Sequence, residues 1–233
     1  NMKKINTILA AVSALLMLTV ASANSLEFKA GVSANGMAAY ANAKETLKGG
    51  GTRTTNEEAV LATSFASIFA EISSEDMMGL GIGISYAPEV VNLEKETRTI
   101  QNSLTNDSTG DGNDTGDQII DGKIKDLASI YFTIPVGDSG AYVKAGYQQA
   151  TLVTEENLAT LSKYENIDLT GTHVGGGYEA DLGDMAFWRA EGQFSMWDDI
   201  SAGGSEADGD GSKNNISAEI GSVTGSLSIG MKF

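Results

Sequence analysis

The connections of this chain alternate in length, and that rhythm limits the folds open to it. From residue 26 onward, polar and apolar residues alternate in eight stretches: 26–45, 57–73, 77–87, 126–137, 140–153, 170–182, 185–197 and 214–233. A period of two is the mark of a strand whose two faces meet different surroundings. Between the stretches, long polar segments around 46–56, 88–125, 154–169 and 198–213 alternate with short turns at Ser74-Glu75-Asp76, Gly137-Asp138-Ser139 and Gly183-Asp184. Four long and three short connections fit an even antiparallel meander with both ends on the short-turn side. No stretch here sustains a helical period. The expected fold class is all-β, an eight-stranded up-and-down barrel.

The chemistry of the two faces says what surrounds the barrel. Over 126–137, Ala128, Ile130, Phe132, Ile134 and Val136 oppose Ser129, Tyr131 and Thr133. Over 185–197, Trp188, Ala190, Phe194 and Met196 oppose Arg189, Glu191, Gln193 and Ser195. A Lys or Arg facing lipid at the membrane midplane costs about 2–4 kcal/mol. Faces carrying Lys29, Glu71, Lys144, Glu179, Arg189 and Glu191 are therefore expected to point into the barrel. Three cations and three carboxylates can pair there, and an unpaired buried charge would be expensive. In the last stretch Ala218 and Ile220 fall out of phase with Val223 and Leu227, so a bulge near Gly221-Ser222 is expected. Tyr40, Tyr86, Tyr142, Trp197 and Phe233, near strand ends, suit an interfacial aromatic girdle. Short turns on one side and long loops on the other match barrels of the bacterial outer membrane, with periplasmic turns and external loops.

Composition agrees. Met2-Lys3-Lys4 precedes an apolar run, Ile8 to Val20, and Ala21-Ser22-Ala23 is a small-x-small cleavage site. Residues 1–23 are expected to be a cleaved signal peptide and 24–233 the barrel. Removing the two leader lysines takes the net charge from −16 to −18. That acidity excludes a phosphate-binding nucleic-acid surface, which needs clustered Lys and Arg. Cysteine is absent, so neither disulfides nor thiolate metal sites are available.

Four segments carry a family likeness. They are Ala141-Tyr142-Val143-Lys144-Ala145-Gly146-Tyr147, Gly175-Gly176-Gly177-Tyr178-Glu179-Ala180-Asp181-Leu182, Trp188-Arg189-Ala190-Glu191-Gly192, and the alternating strand that ends on Phe233. The pattern resembles the small outer-membrane β-barrel superfamily of OmpA-type transmembrane domains, OmpX-like proteins and neisserial opacity proteins. The resemblance implies an outer-membrane location, contact with membrane lipid and lipopolysaccharide, and Phe233 as a signal for the barrel-assembly machinery.

Candidates for chemistry are few. His173 is the only histidine and lies on the expected inner face; Ser195 could lie on the neighbouring strand, but the sequence does not fix that contact. Nucleophilic hydrolysis needs such a pair, and a lone inward His is more often part of a polar interior, so no catalysis is expected. In the long acidic segment, Asp111, Asn113, Thr115 and Asp117 offer oxygen ligands at alternate positions, with Gly116 sixth in the run. This resembles the start of a calcium loop, although its twelfth position is Gly122 rather than Glu; a solvated Asp/Gly/Asn loop explains the same residues without Ca2+. The expected function is non-enzymatic: envelope integrity, adhesion, or docking of a ligand or phage through the long acidic loops. A porin-like channel for ions or small solutes is the alternative. Eight strands leave an interior just wide enough for side chains to fill, which disfavours a large pore. A soluble ligand-binding barrel is a third class and would extract without detergent.

Overall fold

The computed structural model describes residues 26–46, 57–92, 96–102, 114–157, 165–207 and 213–233. The expected leader, 1–23, and the candidate ligands Asp111 and Asn113 lie outside them. Ten strands form one sheet: β1 (Leu26–Thr46), β2 (Glu57–Ser74), β3 (Leu80–Asn92), β4 (Glu96–Asn102), β5 (Asp114–Pro135), β6 (Ala141–Asn157), β7 (Ile167–Asp181), β8 (Ala186–Trp197), β9 (Ile200–Ala207) and β10 (Lys213–Lys232). Sequential antiparallel pairing runs β1-β2-β3-β5-β6-β7-β8-β10, and β10 pairs back onto β1. Closure leaves an eight-stranded barrel, with β4 and β9 as short hairpin partners of β5 and β10. Both were expected to be loop. Their Asp-, Gly- and Asn-rich surroundings hide β-formers such as Thr97 and Ile100, which pair with Ile119 and Gly116. Thr115 and Asp117 accordingly run in strand, opposite Gln101 and Thr99.

Three tight connections close one end. A single 3-10 turn, Glu75–Met77, leads to Met78 and Gly79 at positive φ. Gly140 also has positive φ (84°), and a Cβ there would run into the backbone carbonyl of Glu179, so a side chain has no room. Phe28 and Phe233 exchange both backbone hydrogen bonds, at 3.2 and 2.9 Å, and their rings lie 5.9 Å apart on the barrel's outside. The first and last strands are thereby stitched together to their ends.

The outer wall is greasy. Leu227 and Ile229 are 65 % and 62 % exposed, and Ile68, Phe132, Val143 and Val174 continue the belt. In water such a belt would be an aggregation liability; against lipid tails it is satisfied. Trp188 stacks on Tyr178 in this outer surface, with ring centroids 5.7 Å apart.

Two expectations about parity need correction. Pairing of β10 with β1 and β8 runs without a shift through Gly221 and Ser222, so no bulge lies there. Ala218 and Ile220 share the inward face of Ser222 and Ser228, because the bore itself becomes apolar near the long connections. The irregularities sit instead at Glu89/Val91 of β3, at Lys125/Ala128 of β5 and at Lys213/Asn215 of β10, where it pairs with β9. Asp126 there adopts φ 56°, and its carboxylate accepts a 2.6 Å hydrogen bond from Tyr86. Likewise Tyr142 and Trp197 point into the bore rather than joining an outer girdle, whereas Tyr40 is 52 % exposed.

One joint is short. β2 and β3 pair only from Ile68–Tyr86 to Leu80–Ser74. Above it stands Pro88, which has no N–H to give a ladder; Thr63 Oγ1 bridges the gap by donating to the Val90 carbonyl at 3.1 Å.

Candidate functional site

Inward side chains divide the bore into three layers. Nearest the short turns, Arg189 on β8 is 2 % exposed and holds two carboxylates. Its Nη1 and Nη2 donate to Glu71 at 3.1 and 3.2 Å, a two-pronged contact, and its Nε and Nη2 donate to Glu179 at 3.1 and 2.6 Å. Register explains the assembly: Glu179 is the cross-strand partner of Arg189, and Lys29 that of Glu71. Lys29 donates to Glu179 at 2.7 Å, and Lys144 to Glu191 at 3.0 Å. All six charged residues singled out above thus face the bore, four joined through Arg189 and Glu179 and two forming the Lys144–Glu191 pair.

The rest of this layer was not among the residues expected there. Lys232 is the register partner of Lys29, a like-charge juxtaposition. Carboxylates separate the two cations: Lys232 lies 2.5 Å from Asp181 and 3.6 Å from Glu179. Parity could have found it, since Lys232 shares the face of Ser226 and Ser228. Aromatic rings complete the cage. The Arg189 guanidinium sits 5.1 Å from the Phe69 centroid and 5.2 Å from that of Tyr142, while Lys144 Nζ lies 4.0 Å over Tyr131.

Those rings fit because each lies across a glycine on the adjacent strand. Phe69 faces Gly31, Tyr131 faces Gly83, Tyr142 faces Gly177 and Phe187 faces Gly230 as direct register partners. A Cβ at Gly31 would come within 2.7 Å of Phe69, and one at Gly230 within 2.5 Å of Phe187. Missing side chains on one strand make the floor on which the neighbour's ring lies flat.

The middle layer is hydroxyls and amides. Ser33 bonds Ser228 at 2.8 Å, and Ser226 donates to Asn35 at 2.7 Å. His173 is opposite Ser195 in register, yet its Nε2 meets Ser129 Oγ at 3.4 Å, while Ser195 Oγ donates to Gln148 and accepts from Gln193. Among the described residues, no group of three or more His, Asp or Glu side chains is placed to hold a metal ion.

The third layer, toward the long connections, is apolar. Two packed clusters share Ile124 and Leu127. Their members include Met37 on β1, Phe65 on β2, Val90 on β3, Leu127 on β5, Ala150 on β6, Leu169 on β7, Trp197 on β8 and Ile220 on β10. Every spanning strand contributes, so the residues form a complete collar. At the opposite end a vestibule of about 630 Å³, bordered by Lys29, Glu75, Asp138 and Lys232, opens between the short turns.

No protein-family model matches the chain, and no curated protein matches it. Solved structures do. The chain is similar to the outer membrane protein OprG from Pseudomonas aeruginosa, with a TM-score of 0.50 and 14 % identity over 90 % of this chain and 96 % of that one. It is also similar to Ail of Yersinia pestis, crystallised with the heparin analogue sucrose octasulfate (TM-score 0.44, 12 % identity, 88 % and 99 % covered). The outer membrane protease OmpT from Escherichia coli aligns at a TM-score of 0.38 and 8 % identity over 90 % and 97 %. At these identities the likeness to OprG speaks for the fold: a small outer-membrane-type barrel.

Proposed function

We propose that the chain is a non-enzymatic protein of the bacterial outer membrane, a closed barrel that works through its long external connections. The filled bore carries this reading. Arg189 and Glu71 are buried to 2 % and 3 % exposure across the lumen, leaving no wide path past them. The apolar belt supports residence in lipid. Crossing a membrane takes about 9–11 residues per strand, whereas β1, β5 and β10 have 21, 22 and 20. Such strands run on beyond the belt, and the surface they build there is suited to meet lipopolysaccharide, a surface ligand or a phage. Phe233, laced to Phe28 at the closing joint, is suited to presentation to the assembly machinery. The role is structural or adhesive. His173 and Ser195 make separate hydrogen bonds, an arrangement that supports a packed polar interior over a hydrolytic pair.

Complementation tests this. Cells lacking the protein, scored for detergent sensitivity and surface attachment, should be restored by His173→Ala but not by a barrel whose segments 47–56, 103–113, 158–164 and 208–212 are all replaced by short turns. Restoration by the short-turn barrel would sink the surface role. The polar middle layer and the vestibule favour one second reading, a channel for ions or small solutes. It predicts stable openings of the purified protein in planar bilayers, where the closed body predicts silence.

A further inference from the structure

Between the ion-pair layer and the apolar collar lies a cavity of about 60 Å³, bordered by Ser33, Ser129, Gln148, His173, Ser195 and Ser222. That is room for roughly four water molecules. Gln148 and His173 are 3 % and 4 % exposed, yet Gln148 Nε2 and His173 Nδ1 find no hydrogen-bond partner among the described residues. A buried polar atom without a partner is costly, and a polar cavity of this size normally holds water to supply one.

The two ends of the cavity are bordered by unlike chemistry. Below it lie Lys144 and Glu191, then the Arg189 cluster. Above it stand Met37, Phe65, Leu127 and Trp197 of the collar. An apolar constriction excludes water by dewetting, and it offers an ion no dipoles to replace its hydration shell. We infer that the cavity is a sealed water compartment, shut toward the short turns by charge pairing and toward the long connections by an uncharged, water-repelling collar. The inference rests on the closed-body reading and adds to it a water site and a second barrier. Two closures in series have a consequence that neither has alone: removing one leaves the bore shut.

The chain has no cysteine, so Ser129→Cys places a single thiol in the compartment with little change in volume. A membrane-impermeant, charged methanethiosulfonate reports its access, and heat-modifiable gel mobility verifies folding in every variant. In the otherwise unaltered protein this thiol should react at least 100-fold more slowly than one at Ser139→Cys, on an exposed turn. Opening the collar with Met37→Ser, Leu127→Ser and Leu169→Ser should raise the rate at least tenfold in intact cells of a strain without general porins, where reagent arrives only from outside. Opening the charged layer with Glu71→Ser and Arg189→Ser should leave the rate in intact cells unchanged and raise it in detergent. Only the combined variant should conduct in planar bilayers.

Rapid labelling at Ser129→Cys without other changes would overturn the sealed compartment. So would a charge-layer variant that labels in intact cells or conducts like the combined one, since the collar would then be no barrier. A folded but silent combined variant would also overturn it. Conduction by the unaltered protein, or by the collar variant alone, would instead strike the closed-body reading, because the charged layer would have failed to close the bore. A high-resolution crystal structure with an empty cavity would remove the water site.

Discussion

Glu71 and Phe65 lie on the same strand and the same face, six residues or about 20 Å apart along the chain, and their surroundings are opposites. Glu71 is gripped by a guanidinium within a cage of aromatic rings. Phe65 packs against Met37, Ala87 and Val90. The same contrast recurs on β7, between Glu179 and Leu169, and on β10, between Lys232 and Ile220. One continuous inward face therefore carries two kinds of core. The charged half is held by pairing and register, and the apolar half by the packing that holds a soluble protein's interior.

Removing the hub of the charged half should have the largest effect. Arg189→Ala leaves Glu71 and Glu179 facing each other without a cation between them, buried as they are. Stripping one partner from a buried ion pair costs about 3–5 kcal/mol. The urea midpoint of the heat-modifiable band should fall accordingly. A loss below about 1 kcal/mol would mean that water reaches the cluster and screens it.

The apolar half should respond next most strongly. Leu169 is 4 % exposed and packs with Ala150 and Ile200. Leu169→Ala should cost about 2–4 kcal/mol by the same measurement, as in a dry core. A loss of a few tenths would show the collar to be wet, and the two halves would then differ in composition but not in character.

This division also explains what could be read from residues alone. Alternation identifies the inward face wherever that face is polar, which is why the strands bearing Lys144, Glu179 and Arg189 could be assigned an orientation. It fails where the polarity of the two faces inverts, as where Ala218 and Ile220 face the bore and Ser217 and Glu219 face out. Ala218 and Ile220 look like lipid-facing residues out of phase, and a bulge at Gly221-Ser222 was the natural repair; the register shows an unbroken strand and an apolar bore. Tyr142 and Trp197 mislead for a related reason, since an aromatic near a strand end suits an outer girdle and a filled bore equally. Lys232 was legible by parity alone. The contact of Lys29 with Glu179, 150 residues away in sequence, was not, because it depends on how the closed barrel brings β1 opposite β7.

Gly83→Ala probes the register on which the charged half is built. The added methyl would run into the Tyr131 ring, which itself lies beneath Lys144. Overpacking of this kind costs about 1–3 kcal/mol. In a Tyr131→Leu background the same substitution should cost less than half as much, because the ring it strikes is gone. Equal costs in both backgrounds would mean that the glycine serves its own strand and not its neighbour's ring.

The smallest effect should come from the rim of the charged layer, where the comparison is graded and not absolute. Lys232 and Asp181 have side chains 21 % and 63 % exposed, against 2 % and 3 % for Arg189 and Glu71. An ion pair that open to solvent contributes about 0–1 kcal/mol. Removing Lys232 also removes a like charge from beside Lys29, its register partner, which offsets part of the lost attraction to Asp181 and Glu179. Lys232→Ala should therefore lower the unfolding free energy obtained from the urea midpoint by less than about 1 kcal/mol. Because exposed pairs are screened within about 10 Å at 0.1 M salt, the loss should shrink further as salt is raised. A loss rivalling that of Arg189→Ala and indifferent to salt would place the dry region at the very mouth of the barrel, and the electrostatic closure would then begin at the vestibule instead of at Glu71.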